Sequence, residues 1–284
     1  MISIALTLKR VKSNIVKHMG RYMASHIELI CVGNELLIGK VVNTNASWLA
    51  QRITESGGSV GRMTVVGDDL DEISESIRSA LDREPFMIIT TGGLGPTYDD
   101  MTLGGVARAL GVTLEDNAEA MRMVREKYAS MSFELTPARA KMAHFPRGAK
   151  AISNPVGTAP ACLMEVHGVN VVCLPGVPSE MEAIFSQSIA PMISKSSEGL
   201  VFKEASLIVQ GLPESALAPL LDGVRKRNPS AYFKSHPKMS EGVPLIEIHI
   251  TTRSRGTDIA EKIIRGGVRD LKDALKPYGP SIID

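Results

Sequence analysis

Three times between Ile27 and Leu110 a short apolar run ends in glycine, meets an acid within a few residues and passes into a helical pattern. Ile27–Val32 leads to Gly33-Asn34-Glu35, and Val60–Val66 leads to Gly67-Asp68-Asp69. Phe86–Thr91 leads to Gly92-Gly93-Leu94-Gly95 and then Asp99-Asp100. Largely apolar runs of this length are what strands buried on both faces look like. Between and after them Ala46, Leu49, Ala50 and Ile53, then Leu70, Ile73, Ile77 and Leu81, then Leu103, Val106, Ala107 and Leu110 recur at helical spacing. The alternation predicts an α/β domain with a parallel sheet and helices on both faces.

In such a sheet, ligands bind beyond the carboxyl ends of the strands. Glu35, Asp68, Asp69, Asp99 and Asp100 should therefore share one rim. Crowded carboxylates raise one another's pKa or recruit a cation. The competing explanation is that each acid caps its own helix, with Asp69 and Glu72 spaced as a capping box.

The third loop is the richest in chemistry. Glycines let backbone N–H groups approach a ligand, and a helix N-terminus favours negative charge. Two adjacent aspartates would repel a phosphate unless a metal ion stood between. Thr91 to Asp100 thus reads as a site for a phosphorylated ligand with a divalent cation, or as a tight turn with Asp99 or Asp100 as N-cap. It is neither a Walker A loop nor GxGxxG. A second strand-to-helix loop, Pro175-Gly176-Val177-Pro178-Ser179-Glu180, offers N–H groups in the same way, or is a stiffened turn with Ser179 as cap.

Composition excludes several classes. The 284 residues are 44% hydrophobic and 22% charged, with net charge +1 and 4% aromatics. That gives no reason to expect nucleic-acid or membrane binding, and no apolar stretch approaches the roughly 20 residues of a membrane span. Cys31, Cys162 and Cys173 each lie in apolar runs, which points to buried thiols and a reducing cytoplasm.

Domain boundaries follow from composition shifts. Residues 1–22 carry Lys9, Arg10, Lys12, Lys17 and Arg21 and no acid, and read as a basic extension, with Met23 a candidate start. Residues 23–197 read as the larger α/β domain that holds the candidate phosphate loops. Glu115–Met142 reads as two helices, Ala161–Leu174 as a hairpin turning at His167-Gly168, and residues 195–200 as a linker. Residues 198–284 form a small α+β domain in the order strand, helix, strand, strand, helix, a split βαβ or KH-like order without the GXXG loop of a nucleic-acid-binding KH module. Lys234, His236 and Lys238 are expected in a basic loop.

Taken in order, Val32–Gly39, Val42–Asn45, Val66–Asp68, Thr91–Asp100 and Leu174–Glu180 resemble the N-terminal, molybdopterin-binding-like region of the CinA family, which is similar to the MoaB/Mog domain of molybdenum-cofactor biosynthesis. The resemblance covers roughly Ile27 to Pro191 and does not extend to an amidohydrolase domain, so that activity is not carried over. It implies a three-layer α/β fold with a mostly parallel sheet. It also implies a divalent-metal-dependent pyrophosphatase that releases AMP from ADP-ribose or a related dinucleotide. The alternatives are a molybdopterin-binding or adenylyl-transfer protein and a non-catalytic nucleotide-binding regulator. The acids matching the family are Asp68 and Asp100, as catalytic and metal-holding residues, with Asp99 and Glu35 assisting around Mg²⁺ or another divalent cation. Phosphate and nucleotide contacts fall to Thr91, Gly92, Gly93, Gly95, Thr97, Gly176, Ser179 and Asn43. The partners implied are a nucleotide or pterin and a second copy of the chain. Two positions depart from the pattern: Tyr98 stands where many members carry a base, and Val177 interrupts a Pro-Gly-Pro-Pro. No histidine lies in these motifs, and neither His144 nor His167 makes a convincing general base.

Overall fold

The computed structural model describes residues 26–238 and 243–283. The basic extension and the Met23 start lie outside the described residues. The chain divides into two units: one reaches Thr54 and takes in Gly58–Ser197, and the other takes in Glu55–Gly57 and everything from Glu198.

In the first unit β1 (His26–Val32), β2 (Ser59–Val66), β3 (Met87–Thr91), β6 (Lys150–Ile152), β7 (Ala161–Val166) and β8 (Val169–Leu174) form one sheet in the order β2-β1-β3-β8-β7-β6. The first four strands in that order pair in parallel, and β7 and β6 add on antiparallel. Successive strand residues serve opposite faces. Ile27, Leu29, Met87 and Ile89 pack with Leu49 and Ile53 of α2 (Thr44–Glu55), which follows the one-turn α1 (Asn34–Leu37). Ile30, Val32 and Ile88 pack with Ile73 and Ile77 of α3 (Leu70–Leu81) and Val106 of α4 (Thr102–Leu110). These largely apolar strands are thus the middle layer of three. The last two helices cross closely because Gly105 has no Cβ, which would otherwise collide with Ile73.

The β7–β8 hairpin turns on His167 and Gly168 with φ of 51° and 87°, the mirror-image turn that matches strand twist. Two readings are corrected. Leu114–Asp116, expected in part as helix, forms β4 and pairs with β5 (His144–Pro146), so α5 starts only at Ala118, where Asn117 caps it, and runs to Ser130. A four-residue α6 (Pro137–Ala140) follows. The stretch read as a linker is structured at both ends: α7 (Pro178–Ile184) passes through Phe185–Ile189 into α8 (Ala190–Ser196), residues 197–199 turn, and Leu200 already belongs to the next strand.

The second unit is a four-stranded antiparallel sheet, β10-β11-β9-β12, made of β9 (Leu200–Gln210), β10 (Tyr232–Lys238), β11 (Leu245–Arg255) and β12 (Ser281–Ile283). β11 lies between β9 and β10, so the unit β9–α9–β10, with α9 spanning Glu214–Arg227, is a split βαβ. With α10 (Thr257–Leu275) it encloses a core around Leu207, Val209, Leu217, Phe233, Ile248, Ile250 and Leu271. Lys234, His236 and Lys238 are on strand β10 rather than in a loop, and the charge of Lys238 is met by Glu247 at 2.8 Å. An edge strand tolerates Pro237, whose missing N–H made the segment read as a loop.

Candidate functional site

A cleft of about 790 Å³ opens where β1, β2, β3 and β8 end, within the usual range for small-molecule sites of about 300–1,000 Å³. It gathers Glu35, Asn43, Asp68, Thr91, Gly92, Gly93, Gly95, Thr97, Asp99, Asp100 and Gly176. Ser179 is not among the lining residues, although Pro178 and Glu180 on either side of it are. Pro178 starts α7, so position 179 is already turned about 100° around the helix, and Ser179 makes no capping hydrogen bond.

The floor is the glycine loop after β3. Gly92 N–H donates to Leu174 O at 3.1 Å and fixes the loop to the neighbouring strand end. Gly92 has φ of 104°, and a Cβ there would collide with the Val32 carbonyl oxygen. Thr102, fully buried, donates its hydroxyl to Gly92 O at 2.7 Å and its N–H to Gly93 O at 3.2 Å. Among the described residues, the N–H groups of Gly93, Leu94 and Gly95 have no acceptor. Consecutive free N–H groups in a glycine turn make an anion-binding concavity.

Neither Asp99 nor Asp100 caps α4, whose N-cap is Met101 with no side-chain bond. The aspartates close a turn of their own instead. Asp100 Oδ2 accepts from Thr97 N–H at 2.8 Å and faces the Thr97 hydroxyl at 2.6 Å, while that hydroxyl also meets Asp99 Oδ1. One hydroxyl proton serves one acceptor at a time, so the two carboxylates share it. This hydroxyl, then the residue's own backbone and the nearby Lys141, hold the Asp99 carboxyl below the usual aspartate range. Asp100 lies flat against Gly95, where a Cβ would sit 2.6 Å from Oδ2. Lys141 approaches from a distant segment and donates to Asp100 O at 2.9 Å and to Thr97 O.

Across the cleft, Asp68 Oδ2 accepts from Asn34 N–H at 2.9 Å, tying the end of β2 to that of β1. Glu35 curls back over Gly33, where a Cβ would lie 2.5 Å from its carboxylate. Asp69 does cap α3, accepting from Asp71 and Glu72 N–H at 2.8 and 3.0 Å. Glu72 does not complete the expected box and accepts instead from Gly67 N–H at 3.0 Å.

Two expected ligand contacts are spent on structure. Asn43 Oδ1 accepts from Ala46 N–H at 3.0 Å as the cap of α2. Thr91, buried, donates to Pro175 O at 3.0 Å. The side chain that joins these loops is Asn45, whose amide donates to Thr91 Oγ1 at 3.2 Å and Gly176 O at 2.8 Å. Glu180 also lines the cleft, held by Asn154 Nδ2 at 2.5 Å. Apolar walls come from Val41, Val42, Tyr128 and Met142. His144 pairs with Asp116 at 2.9 Å, and neither it nor the exposed His167 lines the cleft.

Among the described residues, no three His, Cys, Asp or Glu side chains come together as a metal cage. Glu35, Asp68, Asp99 and Asp100 line one cleft without forming one. Mg²⁺ commonly takes one or two carboxylates and fills its remaining positions with ligand phosphates and water. The donor set therefore fits an ion that arrives with a phosphorylated ligand, and does not fit a resident one.

A family model described as "Probable molybdopterin binding domain" matches residues 28–195, nearly the whole of this sheet and its rim. The chain belongs to this molybdopterin-binding-domain family. Within the family's reach, a protein of Pyrobaculum arsenaticum is 48% identical over 249 residues, covering 87% of this chain and 94% of its own. A protein of Aeropyrum pernix is 42% identical over 255 residues, covering 89% and 95%. The crystal structure of the protein CinA from Thermoplasma acidophilum is 43% identical and superimposes with a TM-score of 0.56, over 60% of this chain and 99% of that one. The molybdopterin-binding-type domain and its cleft coincide in this chain. Among the described residues, no helix is long and apolar enough to cross a membrane.

Proposed function

We propose that the cleft binds a phosphorylated pterin of the molybdopterin class. The observation that carries this is the row of free N–H groups at Gly93, Leu94 and Gly95, beside carboxylates that cap no helix. The N–H groups suit phosphate oxygens. Carboxylate oxygens accept from amino and ring N–H groups of the kind a pterin carries, and the walls at Val41, Val42 and Tyr128 suit its flat ring. Family membership supports the same ligand class.

A second reading keeps the cleft and adds chemistry: hydrolysis of the pyrophosphate in ADP-ribose or a related dinucleotide, releasing AMP. The two acids flanking the glycine loop, Asp68 and Asp100, favour it. A divalent ion bound there would neutralise phosphate charge and acidify a water. The chain's own part is positioning: Thr102 and Asn45 fix the loop, and the loop N–H groups orient the phosphates. A third outcome, nucleotide binding without turnover, would make the protein a regulator.

Anaerobic equilibrium dialysis with molybdopterin, alongside incubation with ADP-ribose with and without Mg²⁺, separates these readings. The proposal expects pterin binding that weakens about tenfold or more in Asp100→Asn. Pterin that becomes adenylylated when ATP is added would extend it to transfer. Metal-dependent AMP that disappears in Asp68→Asn and Asp100→Asn would move the assignment to the pyrophosphatase. Wild-type behaviour in Asp100→Asn would overturn both.

A further inference from the structure

The second unit contains a pocket of about 880 Å³ of its own, between the end of α9, the start of β10 and the end of β11. Its wall carries Arg225, Lys226 and Arg253 against one acid, Asp222. Asp222 pairs with Arg225 at 3.6 Å, but both side chains are more than half exposed, so that bond is weak and easily exchanged. Among the described residues, the side chains of Lys226 and Arg253 have no partner. Arg253 reaches solvent, yet partial enclosure still pushes its pKa below the usual arginine value. An arginine that loses hydration without gaining an acid is set up for an anion from outside.

Two rings share its surface. Phe202 is directly opposite Arg253 in the β9–β11 register, and Tyr232, 58% exposed, is opposite Thr251, two residues away on the same face. Guanidinium and aromatic faces together hold flat ligands. The floor is fixed, because buried Thr252 donates to Ser230 O at 2.7 Å and clamps the turn before β10 onto β11.

We propose that this pocket is a second anion site, for a small molecule carrying a phosphate beside a flat ring. That chemistry is shared by a mononucleotide and a phosphorylated pterin. It does not depend on what occupies the cleft.

The test is calorimetric titration of the full chain with AMP, inorganic phosphate and adenosine. The wild type should bind AMP, phosphate should compete, and adenosine should bind at least about tenfold more weakly. Arg253→Gln with Lys226→Gln should weaken this AMP site at least about tenfold, whereas Asp100→Asn should leave it unchanged. Tyr232→Ser should weaken AMP but not phosphate, and matched thermal melts keep a folding defect from being read as lost binding. Unchanged AMP affinity in the double variant, an AMP site that vanishes with Asp100→Asn alone, or no AMP binding to the wild type at millimolar concentration would each overturn the proposal.

Discussion

The two ends of the central sheet both carry carboxylates, and they treat them in opposite ways. Where the parallel strands begin, Glu28 is 2% exposed and held by Arg83 through two bonds of 2.6 and 2.7 Å. Where they finish, Glu35, Asp68, Asp99 and Asp100 line an open cleft, and the three aspartates receive N–H or hydroxyl bonds rather than matching guanidinium groups. The only cation described at the aspartate turn, Lys141, is spent on its carbonyl oxygens. The first end neutralises its charge within the fold. The second holds its acids in place and leaves their charge for something that binds.

The comparison breaks most visibly under substitutions ranked by expected effect. Arg83→Ala strands a buried carboxylate and should cost about 3 kcal/mol, lowering Tm by about 6–12 °C in a thermal melt while leaving ligand binding intact. Asp100→Asn should do the reverse, with a stability change below about 1 kcal/mol and a loss of affinity of about tenfold or more. Gly95→Ala should mimic it, because the new Cβ lies 2.6 Å from Asp100 Oδ2 and pushes the carboxylate off its turn; equal affinity in this variant would show that the position of Asp100 does not matter.

The smallest effect is a titration. Thr97→Val removes the hydroxyl that does most to hold the Asp99 carboxyl down, so its NMR titration should move up toward the ordinary aspartate value. A depressed folded pKa stabilises above the unfolded pKa, and the gain disappears as pH falls through the folded one. The stability difference between wild type and Thr97→Val should therefore be full at neutral pH and vanish below the usual aspartate range.

The sheet was legible because its central strands are buried on both faces, as Met87–Thr91 is at every position. The rim followed from topology once the strands were parallel. Glu28 escaped notice because a single acid inside an apolar run gives no sign of Arg83, 55 positions away. Asn45 and Lys141 act on partners up to 131 positions distant, and no local pattern encodes that. The expected cap at Asp99 or Asp100 failed for a local reason. Thr102 latches the glycine loop from the first turn of α4, and residues 97–100 close on themselves.

The most direct test of the account measures stability and binding together on the Asp68→Asn, Asp100→Asn double variant. Thermal melting and molybdopterin dialysis on the same preparation should give a Tm within a few degrees of wild type, with affinity reduced by about a hundredfold if the two acids act independently. Wild-type affinity, or a melt that collapses as Arg83→Ala is expected to, would contradict the claim that this end of the sheet keeps its charge for a ligand.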